Sequence, residues 1–160
     1  MSIKRVMGGY VLGLKYTPNG LERTNVPKEG PVILYSNHIN RADHKLVSYF
    51  LKRSLYYVSG IFDKVECYNA LADNKAIVIF EEGKPNPSVS NNFSYESIEV
   101  GVKSDAVVIP VAITGEYEKD GDLTVTYGDP VHISDMYVVE AKTFIEEKIK
   151  ELMLGRKTNE

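Results

Sequence analysis

The chain has 160 residues, 43% of them hydrophobic and 26% charged, with 19 basic against 22 acidic side chains and a net charge of −3. That length suits a single domain over residues 1–160 with its own core, and the slightly acidic balance gives no basic footprint for nucleic acid. The single cysteine, Cys67, excludes an internal disulfide and fits a reducing compartment.

No stretch approaches the roughly 20 apolar residues of a membrane-spanning helix. Residues 1–16 are interrupted by Lys4, Arg5, Gly8, Gly9 and Gly13, so they lack the apolar block of a signal peptide, and the chain is read as cytoplasmic. Residues 10–16 form a first strand weakened by Gly13, followed by turns over 17–20 (Thr17-Pro18-Asn19-Gly20) and 26–31. Residues 31–35 are a buried strand. The loop Ser36 to Asp43 leads from it into a helix over 45–53, where Leu46, Val47, Phe50 and Leu51 have helical spacing. Asp43 sits at the N-cap or in the first turn.

Residues 55–59 are a second buried strand. In the helix after it, Ile61, Val65, Tyr68 and Ala72 share the inner face, with Asp63, Lys64 and Glu66 outward. Residues 76–80 are the clearest strand, running into Glu81-Glu82-Gly83-Lys84-Pro85 and a polar loop over 86–92. A helix over 93–103 precedes a strand over 106–113, in which Pro110 predicts an edge, a bulge or a strand end. Asp120-Gly121 marks a hairpin into a strand over 123–127, and residues 131–133 extend again after Gly128-Asp129-Pro130. Ser134 or Asp135 caps a last amphipathic helix that ends at Gly155, with Ala141, Phe144, Ile145, Ile149 and Leu152 inward and Glu146 and Lys150 paired outward. Strands alternating with helices, then a hairpin, predict a layered α/β domain whose mixed, largely parallel sheet is flanked by helices.

His38 and Asp43 follow a buried strand, the end of an α/β sheet where ligands gather. A carboxylate that holds one imidazole nitrogen leaves the other for proton transfer. Taken alone, the same two residues also fit a loop histidine and an unrelated helix-capping aspartate.

Asn37-His38, four residues, then Asp43 resembles the first motif of the glycerolipid acyltransferase family, which includes the lysophosphatidate (1-acylglycerol-3-phosphate) acyltransferases. Further likenesses follow in the family's order. Residues 26–33 resemble the lead-in, Phe80-Glu81-Glu82-Gly83 the Phe-Pro-Glu-Gly motif, and residues 108–113 the proline-containing strand. Tyr127-Gly128-Asp129-Pro130, with Ile133-Ser134, resembles the closing segment. The resemblance implies a short variant without transmembrane helices that moves a fatty acyl group from acyl-CoA or an acyl-carrier protein to a hydroxyl. The acceptor would be a lysophospholipid or a glycerol-phosphate-like molecule, as in phospholipid biosynthesis. It implies His38 as general base, Asp43 as its orienting partner, and no cofactor or metal. Glu82 and Gly83 would line the acceptor site with Asn37 of the motif; Arg41, Lys64 and Lys84 would be the candidates for an anionic group. A lipid acceptor implies peripheral contact with the inner face of a membrane.

The chain departs from the family in its interval from His38 to Glu82, which is shorter than usual and implies a lost helix or loop, and at three places in the motifs. Glu81 stands where the motif has proline, Lys84-Pro85 stand where Thr-Arg is common, and Gly60-Ile61-Phe62-Asp63-Lys64 is a vestige of the second motif. Lys84 supplies the charge of the missing arginine without its bidentate fork. A second function class is therefore a catalytically weakened lipid- or acyl-carrier-binding module. A third, a metal-dependent hydrolase using His38, Asp43 and His44, has few ligands within reach, His132 being the only other histidine. Cys67 reads as a small core residue rather than a nucleophile. The aromatic and basic residues Tyr49, Phe50, Lys52, Arg53, Tyr56 and Tyr57 read as core aromatics with flanking charges, or as a surface for anionic lipid.

Overall fold

The computed structural model describes residues 2–6, 17–59, 61–85 and 92–158. Among them, seven strands form one sheet. The strands are β1 (Ser2–Val6), β2 (Asn19–Leu21), β3 (Val32–Ser36), β4 (Leu55–Ser59), β5 (Ala76–Phe80), β6 (Val107–Thr114) and β7 (Thr124–Tyr127). Their spatial order is β1-β4-β5-β3-β6-β7-β2. The pairs β4–β5, β5–β3, β3–β6 and β7–β2 are parallel, whereas β1–β4 and β6–β7 are antiparallel. The sheet is thus mixed and largely parallel, as the alternation of elements predicts.

β3 is central because it is apolar on both faces, and only a strand covered on both sides removes all of its side chains from water. Ile33 and Tyr35 pack with Ile77, Ile79 and Val108 under α2 (Lys64–Ala72), α3 (Tyr95–Lys103) and α4 (Val138–Thr158). Val32 and Leu34 pack on the opposite face with Ala76, Val78 and Ile109 against Leu46 and Val47 of α1 (Asp43–Tyr49). Each fully buried Val, Leu or Ile among them contributes about 1.5–3 kcal/mol. The buried Tyr35 hydroxyl donates to the Ser97 carbonyl at 2.8 Å and accepts the Gly101 N–H at 3.2 Å, pinning α3 to the sheet. A Cβ at Gly101 would lie 2.7 Å from that hydroxyl and 2.9 Å from Ile133 Cδ1. Gly101→Ala is therefore expected to cost about 1–3 kcal/mol in overpacking, read as a lower urea midpoint; an unchanged midpoint contradicts this packing.

Several expectations need correction. The strand read over 10–16 lies outside the described residues, and β1, which the sequence did not suggest, pairs with β4 at the edge. Its Lys4 and Arg5 are exposed, a composition that suits an edge strand. Residues 19–21 are not only a turn: they add β2 to the far edge beside β7. α1 spans Asp43–Tyr49 rather than 45–53, because the chain turns away at Phe50.

The inner face of α2 was misjudged. Cys67, Ala70 and Leu71 are buried, while Ile61 and Val65 are 84% and 60% exposed. Asp63, read as merely outward, is the N-cap and accepts the Val65 and Glu66 N–H groups. Pro110 lies inside β6 between two partners, not at a sheet edge. It is tolerated because the β7 ladder stops one residue on, at Val111 opposite Tyr127, so no partner strand lacks a donor. Residues 131–133 make only an isolated bridge, Val131 to Val108. α4 starts at Val138, after Ser134 and Asp135, and runs through Gly155 to Thr158. Glu146 pairs with Lys142 at 2.8 Å and accepts the Phe93 N–H, rather than pairing with Lys150.

Candidate active site

The parallel strands β3, β4 and β5 end on one side of the sheet, above a cavity of about 910 Å³ lined by residues from all three exits. His38 leaves β3 through a loop that is tied down at every step. The Asn37 side chain is buried and spans to β6, donating to the Ile113 carbonyl at 2.9 Å and accepting the Ile113 N–H at 2.7 Å. Asn40 Oδ1 accepts the Ala42 N–H at 2.9 Å, a local turn that ends where α1 begins.

Asp43 organises the loop from inside. Its side chain is fully buried, and Oδ2 accepts from His38 Nδ1 at 2.8 Å, from the Ile39 N–H at 2.7 Å and from the Asn40 N–H at 3.0 Å. Oδ1 accepts the Tyr117 hydroxyl at 2.6 Å. Four donors, with no competing acceptor among the described residues, suit an ionised carboxylate. Asp43 is the first residue of α1; the N-cap position is Ala42, which makes no side-chain cap. Asp43 instead reaches back over the loop. With Nδ1 directed at the carboxylate, the neutral ring of His38 keeps the Nε2 lone pair for another partner. The ring stacks on Phe80 with centroids 4.8 Å apart, is 18% exposed and lines the cavity. The arrangement holds an imidazole in one tautomer and one orientation, the geometry of a general base.

The other predicted site residues divide. Arg41, Glu82 and Gly83 line the cavity with His38. Gly83 has φ +95°, which disfavours any side chain, and the Glu82 N–H donates to the Asn92 carbonyl, closing the base of that loop. Lys84 follows Gly83 at the exposed rim without lining the cavity. Asn37 also does not line it; its amide is committed to Ile113, so it positions the loop rather than facing a ligand. Lys64 is a further correction: it faces a separate recess and lies 3.8 Å from Glu99.

His44 lines the cavity and stacks on Tyr57 at 4.1 Å; burial, and then the neighbouring Lys45, hold its pKa below the usual histidine value. Among the described residues, no three or more His, Cys, Asp or Glu side chains are grouped to hold a metal ion, so His38, Asp43 and His44 do not converge as a ligand set. Cys67 is fully buried and its thiol is pushed up to about 12 by burial, then by Asp63 and Glu66, which leaves no thiolate for nucleophilic work. The aromatic and basic cluster is scattered among internal contacts. Arg53 donates to the Pro27, Gly30 and Asn74 carbonyls, and Tyr56 and Tyr57, adjacent on β4, point to opposite faces.

Tyr117 and the Asn37–Ile113 bracket were missed by sequence reasoning, since both join residues more than 70 positions apart through the β6–β7 hairpin. Phe80 had a signal, as the first residue of the Phe80-Glu81-Glu82-Gly83 stretch.

No protein-family model matches the chain, and no curated protein matches it either. Among solved structures, it is similar to the 1-acyl-sn-glycerophosphate (LPA) acyltransferase PlsC from Thermotoga maritima, with a TM-score of 0.75 and 19% identity over 88% of this chain and 72% of that one. The likeness establishes the fold: the mixed sheet of seven strands with its helices is the PlsC acyltransferase fold. Among the described residues, no helix is long and apolar enough to cross a membrane.

Proposed function

We propose that the protein is an acyltransferase of the glycerolipid type, which moves a fatty acyl group from an acyl thioester to a hydroxyl of a lysophospholipid or glycerol-phosphate-like acceptor. The observation that carries this reading is the 2.8 Å contact between His38 Nδ1 and the buried Asp43 carboxylate, with the ring on the wall of a cavity large enough for a lipid head. The PlsC fold and the ordered motif likenesses support it.

In the proposed reaction, Nε2 of His38 takes the acceptor hydroxyl proton as the oxygen attacks the thioester carbonyl carbon. Asp43 stabilises the imidazolium through Nδ1–H. The tetrahedral intermediate then collapses with cleavage of the carbon–sulfur bond. The departing thiolate recovers the proton, giving an ester and a free thiol. Because the thioester is already activated, no cofactor and no covalent enzyme intermediate are required. The donor is acyl-CoA or an acyl-carrier protein. Glu82 and Gly83 border the acceptor, Arg41 takes its anionic group, Lys84 adds charge at the rim, and Asn37 holds the loop. A lipid acceptor brings the protein into peripheral contact with the inner face of a membrane.

The test incubates the protein with acyl-CoA and a panel of lysophospholipids and glycerol phosphate while following free thiol. Thiol release that depends on an acceptor is expected. Absence of turnover with every acceptor contradicts the reading and leaves a binding module on the same fold.

A further inference from the structure

Another recess, of about 400 Å³, lies at the far end of α1 from His38. Asp43 begins α1 beside the cavity and Phe50 follows its last residue, so seven helical residues separate the two openings, about 10 Å of rise. The recess is framed by the segment before β3 and the segment after α1. Four cations line it, Arg23 and Lys28 from the first segment and Lys52 and Arg53 from the second. Among the described residues, no carboxylate does.

The chain carries 22 acidic against 19 basic side chains, so such a gathering is not what composition alone places at one spot. Like charges held together repel one another and favour an anion between them. Arg53 is the half-buried member of the four. Its guanidinium donates to the Pro27, Gly30 and Asn74 carbonyls, which fix its place without neutralising it. Glu29 is close enough to act on that charge but does not line the recess. Arg23, Lys28 and Lys52 are exposed, and among the described residues no hydrogen bond or ion pair engages their side chains.

Between the cations the lining is apolar, with Val26, Leu51 and the Phe50 ring. That ring packs so closely on Gly20 that a Cβ there would lie 2.5 Å from it. It also meets Tyr49 edge-on, with centroids 5.0 Å apart. The aromatic surface is therefore in place before a ligand arrives. An aromatic ring offers a stacking face to a base, and the surrounding cations suit phosphate oxygens. A bilayer surface would engage only the exposed rim, whereas a recess of this volume suits a small molecule.

We propose that this recess binds a nucleotide, with its base on Phe50 and its phosphates among Arg23, Lys28 and Lys52. Arg53 adds fixed positive potential behind them. The site is separate from the acyl-transfer cavity and stands without that reading. Two sources share the chemistry recognised: the nucleotide end of an acyl-CoA donor, and a free nucleotide.

The experiment is calorimetric titration of the whole chain with adenosine 3′,5′-bisphosphate, and with adenosine as the uncharged comparison. The bisphosphate is expected to bind about tenfold more tightly than adenosine, and less tightly as salt rises. The triple variant Arg23→Ala, Lys28→Ala, Lys52→Ala, all at exposed positions, is expected to weaken it by about tenfold. Circular dichroism checks that this variant is folded. No binding of the bisphosphate, equal binding of adenosine, or an unchanged affinity in the triple variant overturns the proposal. In thiol-release kinetics, a raised KM for acyl-CoA in the triple variant assigns the nucleotide to the donor, and an unchanged KM assigns it to a free nucleotide. Thiol release that fails with every acceptor removes the transfer reading, and the titration still decides the recess.

Discussion

His38→Ala is expected to lower acyl transfer by about 10²–10⁴-fold, the usual contribution of general-base catalysis, while the protein stays folded. The ring is at the cavity wall and stacked on Phe80, not in the core, and its removal takes one of the four donors from Asp43. Thiol-release kinetics paired with circular dichroism separate the two effects. Full activity in a folded His38→Ala protein would show that the imidazole takes no proton in the reaction.

The second large effect is on stability. Asp43→Ala removes the acceptor of the Ile39 and Asn40 N–H groups and of His38 Nδ1, and one hydrogen bond of the Tyr117 hydroxyl, in a part-buried setting. Removing one side of such a network costs about 3–5 kcal/mol, and the catalytic loop loses its fixed shape along with it. Asp43→Asn separates the roles. Its carboxamide oxygen can replace Oδ2 toward the three donors there, so the loop keeps most of its stability. Without the negative charge the imidazolium is no longer stabilised, and transfer falls. Urea unfolding of the two variants checks the order; an Asp43→Ala midpoint equal to that of the unaltered protein contradicts the account of the loop.

What the sequence disclosed depended on whether an interaction was local. The strands at 55–59 and 76–80 were readable to the residue, since each is a short apolar run between polar residues and turns. The His38–Asp43 pair was readable because its residues are five apart, on a loop whose strand and helix were both predicted. Tyr117 was not, since nothing near it in sequence signals a carboxylate carried by another element.

Hydrophobicity misled at α2. Ile61 and Val65 look like core residues, yet the helix seats Cys67, Ala70 and Leu71 against the sheet. Lys64 lies outward beside Glu99, as the helix reading placed it, and it was the resemblance that offered it for an anionic group. Pro110 misled for a different reason. A proline excludes a central strand only where its missing N–H has a waiting acceptor, and the β7 ladder begins just beyond it.

The most direct test of acyl transfer at His38 and Asp43 is to identify the product by mass spectrometry after incubation with isotopically labelled acyl-CoA and a lysophospholipid. The account predicts a diacyl lipid carrying the label as an ester, formed in step with free coenzyme A and lost in His38→Ala. Label recovered only as free fatty acid, or only as unreacted thioester, would contradict it.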